Sequence, residues 1–153
     1  MKIAIGSDER TPVTDAIVAE LLRRGHDLVL DMTGGAAEAA DPSANSWPAV
    51  ARAVGEAVAN GAADEGILFC WTGTGVSIAA NKVRGVRAAL CDDAETARGA
   101  RLWNDANVLC LSLRRTSEPM AKEIIEAWFD TSFIPNDGDN ACLARLAADE
   151  NRD

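Results

Sequence analysis

Short apolar runs alternate with stretches of helical spacing along nearly the whole chain. Lys2–Ile5 reads as a strand, followed by the polar turn Ser7-Asp8-Glu9-Arg10-Thr11-Pro12. Val13–Arg24 then carries apolar residues at Val13, Ile17 and Leu21, with Val18 and Leu22 alongside, the spacing of a helix face. Gly25 stands where a helix usually ends. His26–Leu30 is a second strand, and residues 31–46, rich in Gly, Ala, Asp, Ser and Asn, read as a loop. Pro48 opens a helix over roughly 48–60. Gly66–Cys70 is a third strand, Gly75–Lys82 a helix and Val86–Cys91 a fourth strand. Asp92–Trp103 is a helix and Asn107–Ser112 a fifth strand. Glu118–Phe129 is amphipathic, with Met120, Ile124, Ile125 and Trp128 on one stripe. The tail from Phe133 begins with a Pro-Asn-Asp-Gly turn and ends in a short helix over roughly 140–149.

Five strands separated by helices predict repeated βαβ units. The expected fold is a three-layer, doubly wound, Rossmann-like α/β arrangement: a five-stranded parallel sheet with a C-terminal helical tail. At 153 residues the simplest division is one domain over 1–153. Apolar residues form 48% of it, enough for a sizeable core. The net charge of −9 argues against nucleic acid and anionic membranes as partners. No run approaches the ~18 apolar residues of a membrane span. The opening Met1-Lys2-Ile3-Ala4-Ile5-Gly6 lacks the parts of a signal peptide, so a cytoplasmic chain is expected. None of Cys70, Cys91, Cys110 and Cys142 forms a CxxC pair, which leaves free thiols in a reducing compartment.

The densest chemistry lies where the third strand meets the turn Cys70-Trp71-Thr72-Gly73-Thr74-Gly75. A thiol at the carboxyl end of a buried strand, beside the free amides of a helix N-terminus, suits acid/base work on an anionic or enolate-like small molecule. The turn is neither GxGxxG after the first strand nor GxxxxGK[ST], so a dinucleotide fingerprint and a phosphate loop of that kind are absent. Ligands of open parallel sheets bind at the carboxyl ends of the strands. The residues after each strand, among them Asp8, Glu9, Cys70 to Gly75, Asp92 and Arg114, are therefore the shortlist.

The run CWTGTGVSIAANKVRGVRAALCD, Cys70 to Asp92, strongly resembles the sugar-phosphate isomerases of the ribose-5-phosphate isomerase B and galactose-6-phosphate isomerase family. Asn104 to Leu109 and the opening Met1 to Asp8 resemble it too. The resemblance implies interconversion of an aldose and a ketose, through a cis-enediolate and without metal or organic cofactor. It implies a role in carbohydrate metabolism of the pentose phosphate kind. It also implies homodimers, or dimers of dimers, with sites shared between subunits. It casts Cys70 as the base, and the amides of Gly73, Thr74 and Gly75 as holders of the enediolate oxygen. By the same resemblance Thr72 lies near the ring oxygen or hydroxyls, Asp8 binds sugar hydroxyls, Asn104 reaches substrate and Arg114 contacts phosphate. Thr72 is equally suited to capping the helix.

Several positions depart from the family pattern. Glu9 stands where a phosphate-binding histidine is usual, and Trp103 where a ring-opening histidine precedes Asn-Asp. Trp71 replaces a glycine after the cysteine, and the basic cluster usual after the last turn is absent at Gly138 to Cys142. The lone histidine, His26, falls at the wrong end of the sheet for catalysis. Trp71 and Trp103 are candidates to shape a sugar pocket, and Glu9 or Asp92 to stand in for a missing histidine. Two functions follow. One is an active isomerase with an altered substrate, such as an open-chain tetrose phosphate or an unphosphorylated sugar. The other is a catalytically silent member acting as a sugar-binding or partner subunit.

Overall fold

The computed structural model describes residues 1–34 and 42–151. Part of the expected 31–46 loop, residues 35–41, lies outside them. The strands are β1 (Lys2–Ser7), β2 (Asp27–Met32), β3 (Glu65–Cys70), β4 (Ala88–Leu90) and β5 (Val108–Ser112). The α-helices are α1 (Pro12–Arg23), α2 (Trp47–Ala59), α3 (Thr74–Ala80), α4 (Ala94–Asn104), α5 (Glu118–Phe129) and α6 (Asp137–Glu150). A short 3₁₀ turn, Pro42–Asn45, leads into α2. All strand pairs are parallel, in the order β2-β1-β3-β5-β4.

Side chains of a strand alternate between the faces of a sheet. Ile3, Ile5, Ile67, Phe69, Leu109 and Leu111 point to one face and pack with Ile17, Leu21, Ile124, Ile125 and Trp128 of α1 and α5. Ala4, Leu68, Cys70, Val108 and Cys110 point to the other and pack with Val50, Val54, Val76 and Ala80 of α2 and α3. Both faces are covered, which is why these strands are apolar at successive positions rather than at alternate ones.

Boundaries moved where capping chemistry overrode apolar spacing. β1 runs to Ser7, two residues beyond the expected end, because Gly6 admits α2: a Cβ there would sit 2.4 Å from Val50 Cγ1. Thr11 caps α1, exchanging hydrogen bonds with Thr14. Asp93 accepts from the Thr96 amide and starts α4 at Ala94 rather than at Asp92. The Pro-Asn-Asp-Gly segment is not a free turn: Asn136 caps α6, which starts at Asp137. Met120 is exposed, so the buried stripe of α5 is Ala121, Ile124, Ile125, Ala127 and Trp128. Leu22 likewise faces out from α1. His26 lies just before β2 and packs on Phe129, with ring centroids 4.4 Å apart; burial depresses its pKa.

A buried polar cluster ties the amino end of the sheet to α4 and α5. Glu65 accepts from Arg101 Nη2 at 2.7 Å and from Trp128 Nε1 at 2.6 Å. The Arg101 guanidinium lies 5.1 Å from the Trp128 ring and also donates to the carbonyls of Ala106 and Thr131. Burial raises the Glu65 pKa, and Arg101 opposes that rise.

Candidate active site

β3 is buried over all six residues and ends at Cys70, whose partner on β5 is Ser112. The chain then turns sharply and the turn is fixed to the end of β5. The Cys70 carbonyl accepts from the amides of Gly73 (3.2 Å) and Leu113 (3.0 Å). The Trp71 carbonyl accepts from the Arg114 amide and from Ser112 Oγ, both at 3.0 Å. Gly73 has φ +75, and a Cβ there would meet Leu90 Cδ1 at 2.5 Å and the Leu111 carbonyl carbon at 3.0 Å. Only glycine fits both the left-handed backbone and the space.

Gly73 is the N-cap of α3, and no side chain caps the helix. Thr72 therefore does not cap it; its hydroxyl pairs with Thr74 Oγ1 at 2.7 Å. The Gly73 N–H is already bonded to the Cys70 carbonyl. The donors left for an oxyanion are the first-turn amides, Thr74 and Gly75. This corrects the expectation that Gly73 would share that task.

β1 lies beside β3, and the chain leaves these two strands in opposite directions along the sheet. Such a switch point opens a crevice at the carboxyl ends. Asp8 follows β1 there. It is half-buried, its Oδ1 is shielded from solvent without a hydrogen-bond partner, and burial raises its pKa. An acceptor in that state suits a ligand hydroxyl. Glu9, next to Asp8, and Arg114, just past β5, are exposed, and Arg114 is drawn to the turn by its amide. Arg115 pairs with Asp92 at 3.4 Å.

Trp103 and Asn104 do not join this group within one chain. They end α4, which runs back to the amino ends of the strands, and Val108 opens β5 shortly after. β5 has five residues, so at about 3.3 Å per residue the two ends stand roughly 15 Å apart. Asn104 and Trp103 instead border a 550 Å³ groove with Arg87, Cys142, Leu143 and Leu146. Trp71, just past β3, and Trp103, near the end of α4, are 60% and 58% exposed and stand at opposite ends of the sheet.

Trp47, absent from the shortlist, does reach the turn. It is the first residue of α2, and Gly75 would place a Cβ 3.1 Å from its ring. The one signal for it is the missing side chain at position 75. Cys91 and Cys110 are buried packing residues; burial pushes the Cys91 thiol up to about 12 and also raises that of Cys110.

The family model described as Ribose/Galactose Isomerase matches residues 3–144. The chain is 37% identical to the D-erythrulose-4-phosphate isomerase of Pectobacterium atrosepticum, over 87% of this chain and 85% of that one. It is 40% identical to ribose-5-phosphate isomerase B of Escherichia coli, over 86% and 85%. The crystal structure of ribose-5-phosphate isomerase B from Mycoplasma genitalium with bound ribulose-5-phosphate superposes with a TM-score of 0.87. That match covers 99% of this chain and 97% of the other at 30% identity. With its parallel sheet, glycine turn and strand-end cysteine, this chain belongs to the ribose/galactose isomerase family.

Proposed function

We propose that this chain is an aldose–ketose isomerase for a short phosphorylated sugar, working through a cis-enediolate with Cys70 as the base. The observation that carries this reading is the placing of Cys70 at the end of the central strand, next to the uncapped amides of α3 and across the β1/β3 crevice from Asp8. A proton next to a carbonyl is weakly acidic, so its removal needs a held base and a stabilised oxyanion. The Cys70 thiolate takes the proton from one carbon and returns it to its neighbour. The Thr74 and Gly75 amides hold the developing oxygen charge, and Asp8 accepts from a sugar hydroxyl. Thr72 carries its hydroxyl on the same turn, and Arg114, whose amide bonds the Trp71 carbonyl, is the cation assigned to the phosphate.

The substrate is best read as an open-chain four-carbon sugar phosphate. Trp103 stands where a ring-opening histidine is expected, and an indole cannot move a proton to a ring oxygen. A tetrulose 4-phosphate needs no such step, because its terminal oxygen is esterified and no ring closes. The similarity to an erythrulose-4-phosphate isomerase supports this choice.

The same reading makes the working unit a homodimer, or a dimer of such dimers, of single isomerase-like domains over 1–153. A second copy would bring its Trp103 and Asn104 to the Cys70 end, and its tail, 130–153, would pack across the interface. Exposed Trp71, Ile78, Leu90, Trp103 and Leu146 give such a contact its apolar surface. Four unpaired cysteines suit the cytoplasm. Among the described residues no helix is long and apolar enough to cross a membrane.

Proton exchange in D2O, followed by NMR over tetrose, pentose and hexose sugars with and without phosphate, tests the proposal. Deuterium should enter C1 or C2 of a tetrose phosphate, and Cys70→Ala should lower that rate by about 10²–10⁴-fold. Exchange unaffected by Cys70→Ala would remove the thiol from the mechanism. No exchange with any sugar, from a folded dimer, would favour a silent or partner-dependent subunit.

A further inference from the structure

Asp105 is the only non-glycine residue with positive φ among the described residues, at φ 45 and ψ 42. It directly follows Asn104 and ends α4. A left-handed residue at a helix end is ordinarily glycine, which adopts this backbone freely; a side chain there costs about 1 kcal/mol or more. Such an outlier persists where its surroundings over-determine it.

The surroundings here do so through one arginine. Arg87, just ahead of β4, donates from Nε to the Asp105 carbonyl (2.7 Å) and from Nη2 to Asp105 Oδ2 (2.9 Å). Its own amide donates to Asn107 Oδ1 at 2.8 Å, and Asn107 Nδ2 donates to the Gly85 carbonyl at 2.9 Å. On the other side, the Asp105 and Ala106 amides both donate to the Ala100 carbonyl, and Arg101 donates to the Ala106 carbonyl. Residues 105–107 are thus held from two directions, while Asn104 itself is exposed on the groove that Arg87 also lines.

A cap alone gains nothing from aspartate over glycine. The carboxylate earns its place only through Arg87, which fixes the direction in which α4 releases Asn104. We infer that Asp105 and Arg87 are positioning residues that aim Asn104 at the substrate. This rests on the isomerase reading, in which Asn104 reaches substrate in the partner's site.

The test is a double-mutant cycle on the sugar phosphate turned over fastest. Asp105→Gly keeps the left-handed backbone and removes the anchor. It should leave the melting temperature at or above the wild-type value and raise KM so that kcat/KM falls about tenfold. Asp105→Asn, which can still accept from Arg87, should recover most of that loss, and Arg87→Ala should reproduce it. In an Asn104→Ala background Asp105→Gly should have no further effect, because its action passes through Asn104. Unchanged kinetics in Asp105→Gly, or losses that multiply in the double variant, would overturn the inference and leave Asp105 as a cap. A wild type that isomerises no sugar phosphate would overturn the isomerase reading, and this inference with it.

Discussion

The Trp47 indole rests against Gly75: a methyl group added to the glycine would sit 3.1 Å from two of its ring carbons. An aromatic from the start of α2 therefore lies directly on the turn that carries Cys70, and Gly75 is glycine because of that neighbour. Gly75→Ala must push the indole or the turn by a few tenths of an ångström. We expect about 1 kcal/mol of lost stability and a fall in kcat/KM of about tenfold or more. Trp47→Leu in the same chain should restore stability, read by thermal melting, and part of the activity. A Gly75→Ala variant with wild-type kinetics would show that the contact is incidental.

Asp8, proposed above to accept from a sugar hydroxyl, carries a cost to folding. Its pKa is raised by burial, so the folded chain holds its proton to higher pH than the unfolded chain does. Stability from this residue is therefore lost as pH rises through the ordinary carboxylate range towards the folded value, and neutral pH lies beyond that window. Asp8→Asn should melt slightly higher at pH 7 and show no advantage at pH 3. It should also lose a charge-assisted bond to a sugar hydroxyl, worth about 1.5–3 kcal/mol, and so bind substrate more weakly by about 10–100-fold. A variant that melts lower at pH 7, or binds as tightly as wild type, would contradict this account.

Arg101→Met leaves the Glu65 carboxylate buried with only Trp128 Nε1 as partner. Removing one member of a buried pair costs about 3–5 kcal/mol. Urea unfolding should show that loss, and the double variant Glu65→Gln/Arg101→Met should recover a substantial part of it. A single variant within 1 kcal/mol of wild type would mean that water reaches the carboxylate.

Glu20 gives the opposite pH dependence. Hydrogen bonds from Arg23 and Arg24 lower its pKa from 4.5 to about 2. Its contribution is present above pH 4.5 and is lost as pH falls towards 2. Glu20 is covered by the arginines it pairs with, but Arg23 is itself largely exposed, so solvent screening should keep the effect to about 1 kcal/mol. Acid titration of stability should be shallower in Glu20→Gln than in wild type over that window; identical curves would assign the acid sensitivity to other carboxylates.

The alternation of elements, the parallel sheet and the cysteine at the end of its third strand were all legible in the sequence. They rest on local properties: apolar periodicity, helix-ending glycines and a strand too apolar to be anything but central. Helix starts were less legible, because Thr11, Asp93 and Asn136 set them by side-chain hydrogen bonds that apolar spacing does not record. Two further matters lay beyond any local pattern. The polar interior of Glu65, Arg101 and Trp128 joins residues far apart in the chain, and Trp47 meets Gly75 only because α2 packs beside α3. The division of the shortlist was likewise settled by topology. Cys70 ends a strand and Thr72 and Asp8 follow strands, while Trp103 and Asn104 end a helix, so strand direction sends the two sets to opposite ends of one sheet. Sequence determines which residues carry chemistry; only the tertiary arrangement decides which of them a single chain can bring together.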